Sequence, residues 1–182
     1  MDNTEYLNTY ENNLSTTLYD YLLSLKEVDE IRPDAPDVEN LWTLMCSSYM
    51  PDGVREFDKY PSVSLGWMLF IGMAVAKMWD ADWRHFSAKP NLYAYLRDAR
   101  GYDFMDEFIC EHILKLKKSE AQSLSKLAGD VAVMAYNAFT RERFEPASVT
   151  AYHAYVRTLH QLYQLGAAMQ LHRMGYRMTK IG

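Results

Sequence analysis

The chain has 182 residues, 49% apolar and 24% charged, with a net charge of -5. That length makes one domain with one core, and the composition excludes disorder, collagen and low-complexity fibres. Two cysteines exclude a disulfide-built scaffold, and the acidic balance argues against a dedicated nucleic-acid binder.

The start, MDNTEYLNTY, is polar and acidic and has none of the features of a secretory signal. Cys46 and Cys110 are far apart and form no CxxC pair, so reduced thiols in a cytoplasmic protein are expected. No strand pattern occurs, and the whole chain reads as helix.

The first helix is predicted over about 3–28. Leu7, Leu14, Leu18, Leu22 and Leu25 form its stripe. DEIRPDAP, 29–36, is a linker broken by two prolines. A second helix covers about 37–49, ended by Pro51 and Gly53, and a weak one follows over 54–60. Pro61 and Ser62 open an apolar helix to about Trp79. Its stretch VSLGWMLFIGMAVA, 63–76, is nearly uncharged but shorter than the roughly 18 residues of a membrane span. With a mean hydropathy of -0.31 for the chain, it reads as a buried central helix and not as a membrane segment. Its glycines imply close approach of a neighbouring backbone.

Further helices are predicted over about 90–100, interrupted by Gly101, and over about 102–117. Ser119 and Gln122 form a capping-box pattern that starts a helix over 120–140. The last helix runs over about 146–174, with Val149, Tyr152, Val156, Leu159, Leu162, Gly166 and Met169 as its seam and Gly175 as its stop. Residues 176–182 form a loose basic tail. The expected fold is therefore all-α: a single-domain bundle of six to seven helices around the central apolar one.

Charge is uneven. Residues 1–60 carry 13 acidic and 4 basic side chains, whereas residues 141–182 carry 2 and 6. Attraction between the first and last helices, within one chain or between two, is the simplest use of this polarity.

No nucleophile elbow, zinc-protease, P-loop or dinucleotide motif is present. The densest chemistry is Trp79-Asp80-Ala81-Asp82-Trp83-Arg84-His85. Asp80, Asp82, Trp83 and His85 could hold a ligand or divalent ion, or move a proton. The competing reading has the aspartates capping a turn and the tryptophans packing. His112 falls near Phe108, Ile109 and Leu116, as a core histidine does. In the functional reading it is a base at a pocket edge. His153, Arg157, His160 and Gln164 share one face, expected to be solvated or to meet a partner. Arg157, Arg173, Arg177 and Lys180 lie among Tyr155, Tyr163 and Tyr176, a weak nucleic-acid pattern in an acidic chain.

Tyr60 to Trp83, YPSVSLGWMLFIGMAVAKMWDADW, resembles a segment of small, uncharacterised all-helical bacterial proteins. The resemblance implies a bacterial cytoplasmic protein and no activity.

A non-enzymatic interaction protein is the leading expectation, pairing with itself or with another protein. The 14 tyrosines and 11 methionines suit such an interface. A ligand-binding protein or enzyme centred on Asp80, Asp82, Trp83 and His85 is the alternative, and a nucleic-acid regulator a weaker one. No cofactor, metal or membrane association is expected.

Overall fold

A computed structural model describes residues 3–177. It contains eight α-helices: α1 (Asn3–Ser24), α2 (Pro36–Asn40), α3 (Trp42–Lys59), α4 (Pro61–Ser87), α5 (Leu92–Asp98), α6 (Met105–Phe108), α7 (Lys118–Arg141) and α8 (Val149–Arg173). A 3-10 turn (Tyr102–Phe104) precedes α6, and a π-helical turn (Ile109–Ile113) continues it. The bundle is all-helical and α4 is its centre, packed most extensively on α8, then on α7 and α3.

By length and composition α4 could cross a membrane. Yet 72% of its most apolar window is buried inside the protein, against other helices. A helix apolar on all sides needs neighbours on all sides, and here they are its own chain. Residue numbers rise together along the contacts of α4 with α8: Ser64 meets Tyr155, Gly72 meets Tyr163, and Asp80 meets Tyr176. The two helices therefore run side by side in the same direction. So do α1 and α8, through Asn3 with Thr150 and Tyr10 with Thr158, and just past the end of α1 Glu27 meets Arg173.

The tightest packing lies where α4 crosses α8. A Cβ on Gly72 would run into the Tyr163 carbonyl, and one on Gly166 into the Leu69 carbonyl. Each glycine thus lets the other helix's backbone come close enough to touch. The expected close approach is present, at Gly72.

Several predicted boundaries are corrected. Pro51 and Gly53 do not end a helix; both lie inside α3. An interior proline costs about 3 kcal/mol, and here burial of Met45 and Tyr49 before it and packing of Phe57 after it keep the helix continuous. Gly53 stands where a Cβ would collide with the Tyr49 ring. α1 ends at Ser24, which leaves Leu25 exposed. α7 starts at Lys118, with Glu120 rather than Gln122 closing the cap by accepting from Lys117 N at 3.0 Å. α8 starts after Ser148, whose Oγ accepts from Ala151 N at 3.1 Å. Pro146 lies outside that helix, and Val149 and Tyr152 are exposed and no part of its buried seam. Gly175 takes a positive φ of 90° as the stop. Of the predicted loose tail, Tyr176 is held by a hydrogen bond to Asp80, and residues 178–182 lie outside the described residues.

Gly72→Ala and Gly166→Ala should each destabilise the fold by about 3 kcal/mol through overpacking, despite the roughly 1 kcal/mol that alanine gains in helix propensity. Urea unfolding followed by circular dichroism measures the difference.

Candidate functional site

The segment with the densest predicted chemistry resolves into separate contacts. Asp82 breaks the helical dihedrals of α4, with φ -164° and ψ 79°. Its Oδ1 accepts from His85 N at 3.2 Å, so it caps the last turn. The Asp80 carboxylate accepts from the Tyr176 hydroxyl at 2.5 Å. Trp79 Nε1 donates to Asp37 at 3.0 Å, and Trp83 packs half-buried against the core. The His85 ring lies exposed against Phe86. His112 is exposed and tilted on Phe108, not a core histidine. The π-helical turn carries one extra residue per turn, which rotates His112 out of the apolar face that an α-helix would give it. Among the described residues no group of three or more His, Cys, Asp or Glu side chains is placed to hold a metal ion.

A denser polar cluster joins α1, the linker and α8. Arg32, in the linker, donates to Ser15 Oγ at 2.5 Å, to Gln161 Oε1 at 3.0 Å and to Gln164 Oε1 at 3.3 Å. Each glutamine passes the polarity on. Gln161 Nε2 donates to Glu11 at 2.7 Å, and Gln164 Nε2 to Glu39 at 3.0 Å. Glu11 also receives Arg157 at 3.1 Å, and Glu39 receives His160 at 2.5 Å, whose ring stacks on Trp42 at 4.6 Å. One half-buried guanidinium is thereby linked through two neutral amides to two carboxylates. Clefts of about 300 and 190 Å³ flank the linker here. The stripe of Arg157, His160 and Gln164 thus meets α1, the linker, α2 and the start of α3, while His153 is exposed. The charge polarity is used within the chain: Arg173 pairs with Glu27 at 3.2 Å and His172 with Asp29 at 2.8 Å.

A second buried cluster ties α3, α4, α5 and α8. Tyr49 donates to the Ser64 carbonyl at 2.5 Å, and Ser64 Oγ donates to the Gly53 carbonyl at 2.8 Å and shares a hydrogen bond with the Tyr155 hydroxyl at 2.5 Å. Tyr93 donates to Asp52 at 2.7 Å, where Arg97 also donates at 3.0 Å. Burial pushes all these phenols up, and at Tyr93 the bond to Asp52 adds to it. Both cysteines are free, and burial pushes the Cys110 thiol up to about 12, where it is a poor nucleophile.

A wider cleft lies elsewhere, between the end of α3, the α7–α8 turn and the start of α8. It measures about 680 Å³ and is lined by Phe57, Phe139, Phe144, Tyr152 and Tyr155, with Val54, Arg55, Asp58 and Lys59 among the remaining lining side chains. Phe57 meets Phe139 edge-on at 5.3 Å and Tyr155 at 4.6 Å. The volume is that of a typical binding cleft. No family model, no curated protein and no solved structure matches the chain.

Two outcomes follow. Arg32→Ala leaves the carbonyl oxygens of Gln161 and Gln164 without their donor, costing about 2 kcal/mol. Hydrogen exchange should speed up in the linker and α2 while α4 stays protected. In alkaline titration, Tyr10 is pushed by burial from 10.0 to about 12. The stability that its protonated form gives is whole below pH 10 and lost as pH rises through about 12. Tyrosinate absorbance should therefore rise in two phases. Exposed phenols ionise first, and the buried set ionises together with loss of helix.

Proposed function

We propose that this is a non-enzymatic, cytoplasmic interaction protein that works as a pair of identical chains, joined through the aromatic cleft at the start of α8. The observation that carries the reading is an aromatic cleft whose own rim is exposed and apolar. Two of its lining side chains, Tyr152 and Val54, stand 49% and 46% exposed, and Val149, next in sequence to the lining Ser148, stands 72% exposed. A two-fold interface uses the same patch on both copies, so that patch must be self-complementary. Exposed apolar groups clustered at an aromatic cleft mark an association surface, and tyrosine and phenylalanine are enriched at interface cores.

Charge supports the same arrangement. Arg55, which pairs with Asp52 at 3.0 Å within the chain, and Asp58 lie one turn apart on α3, both lining the cleft. A two-fold axis between them sets Arg55 of one copy against Asp58 of the other, twice over. Such rim pairs add register more than affinity.

Sedimentation velocity at tens of micromolar should show a dimer. Tyr152→Glu should convert it to a folded monomer. Arg55→Asp should weaken the dimer, and the double change Arg55→Asp with Asp58→Arg should restore it. A monomer throughout that range, or a dimer indifferent to Tyr152→Glu, overturns the reading. In the first case the cleft is left to a different protein.

A further inference from the structure

Five glycines lie inside helices: Gly53, Gly66, Gly72, Gly129 and Gly166. Packing explains three, because a Cβ on Gly53, Gly72 or Gly166 would collide with a ring or a backbone. It does not explain the other two. A Cβ on Gly66 would sit 3.7 Å from Ala132 Cβ and 3.9 Å from the Ala128 carbonyl, which is ordinary contact. A Cβ on Gly129 would meet nothing within 4 Å. Neither has a positive φ. Alanine is the better helix residue at both positions, so the fold gains nothing from glycine there.

Both glycines line one cleft, of about 260 Å³, between α4 and α7. Its wall is aromatic. Trp67 and Phe70 meet edge to face at 6.0 Å. The Trp67 indole is locked in place, Nε1 donating to the Tyr102 carbonyl at 2.7 Å. The cleft also carries one ionisable side chain, Asp106. This carboxylate is half-buried, and no Lys, Arg or His nitrogen of the described residues forms an ion pair with it. Of the other half-buried carboxylates, Asp52 has Arg97, Glu11 has Arg157 and Glu27 has Arg173, whereas Glu56 and Glu142 resemble Asp106 in forming no ion pair among the described residues. Burial holds the Asp106 carboxyl above its usual range, in keeping with a charge that no cation offsets.

These parts have one common complement. A ring face attracts a cation, a desolvated carboxylate pairs with one, and the missing Cβ atoms leave it room. An anion would be repelled by Asp106. A purely apolar ligand would cover that carboxylate, which is bonded to the backbone amides of Asp106 and Glu107, without pairing its charge. A hard divalent ion would need several more oxygens.

We propose that this cleft binds a small organic cation, its ammonium group held between the Trp67 ring and the Asp106 carboxylate and its alkyl part over Gly66 and Gly129. The site is separate from the aromatic cleft at the start of α8 and does not depend on dimer formation.

The test titrates the full-length, isotope-labelled chain with tetramethylammonium chloride, against sodium chloride at equal ionic strength, and follows amide and indole resonances. Saturable shifts are expected at Gly66, Gly129 and the Trp67 indole, and sodium chloride should not produce them. Asp106→Asn should weaken binding about ten-fold or more while leaving the remaining spectrum in place. Gly129→Ala gives the sharper result: it should raise the melting temperature and weaken binding about ten-fold in the same protein. Shifts no different from those with sodium chloride would overturn the proposal. So would a Gly129→Ala protein that is more stable and binds as tightly as the original.

Discussion

Contact between the backbones of α4 and α8 at Gly72 and Gly166 is the constraint from which the architecture follows. Two helices can approach this closely only where neither presents a side chain, and each glycine clears the carbonyl opposite. The near approach leaves Leu69, Met73, Leu162, Leu165 and Met169 fully buried. Once α8 lies this close along α4, one flank of the apolar helix is sealed. α7 and α3 close much of the rest.

Because α8 lies parallel to both α4 and α1, it serves as the spine of the molecule. Its buried face is apolar toward α4. Toward α1 it carries polar groups, Thr158 and Gln161, that are buried all the same. Buried amides are tolerated only when satisfied, and Gln161 shows how: its oxygen takes Arg32 and its nitrogen serves Glu11. Neutral amides between guanidinium and carboxylates spread the charges apart while keeping every group bonded. The linker is thereby fastened across α8 by directional bonds, where a proline-broken segment has few apolar side chains to fasten it.

Legibility followed range. Patterns set by neighbours along one helix were readable: the leucine stripe of α1, the apolar identity of α4 and the Gly175 stop of α8. Misread positions were those decided by distant residues. Pro51 and Gly53 look like a terminus in sequence, yet packing across α3, α4 and α8 carries the helix through them. His112 looks apolar on an α-helical wheel, yet a π-helical turn changes the wheel. Arg32 carries no signal in the sequence because its partners Ser15, Gln161 and Gln164 are 17, 129 and 132 residues away. The dense run at Asp80 to His85 drew attention by composition alone. Its carboxylates diverge because successive helical residues point about 100° apart, and Asp82 turned to the backbone as a cap.

The helical glycines show why a shared residue type need not mean a shared role. By sequence the glycines of α4 point to close backbone approach, since glycine weakens a helix and asks for a reason. The space around each one separates them. At Gly72 and Gly166 the reason is another helix's carbonyl, and at Gly53 it is a tyrosine ring. At Gly66 and Gly129 the protein itself supplies no such neighbour, and both open onto the same cleft, beside the same carboxylate. Stability alone would replace these two with alanine. The physical distinction is therefore between glycines that the folded chain needs for its own contacts and glycines that keep a volume empty. Only glycines of the second kind bear on what the protein meets outside itself.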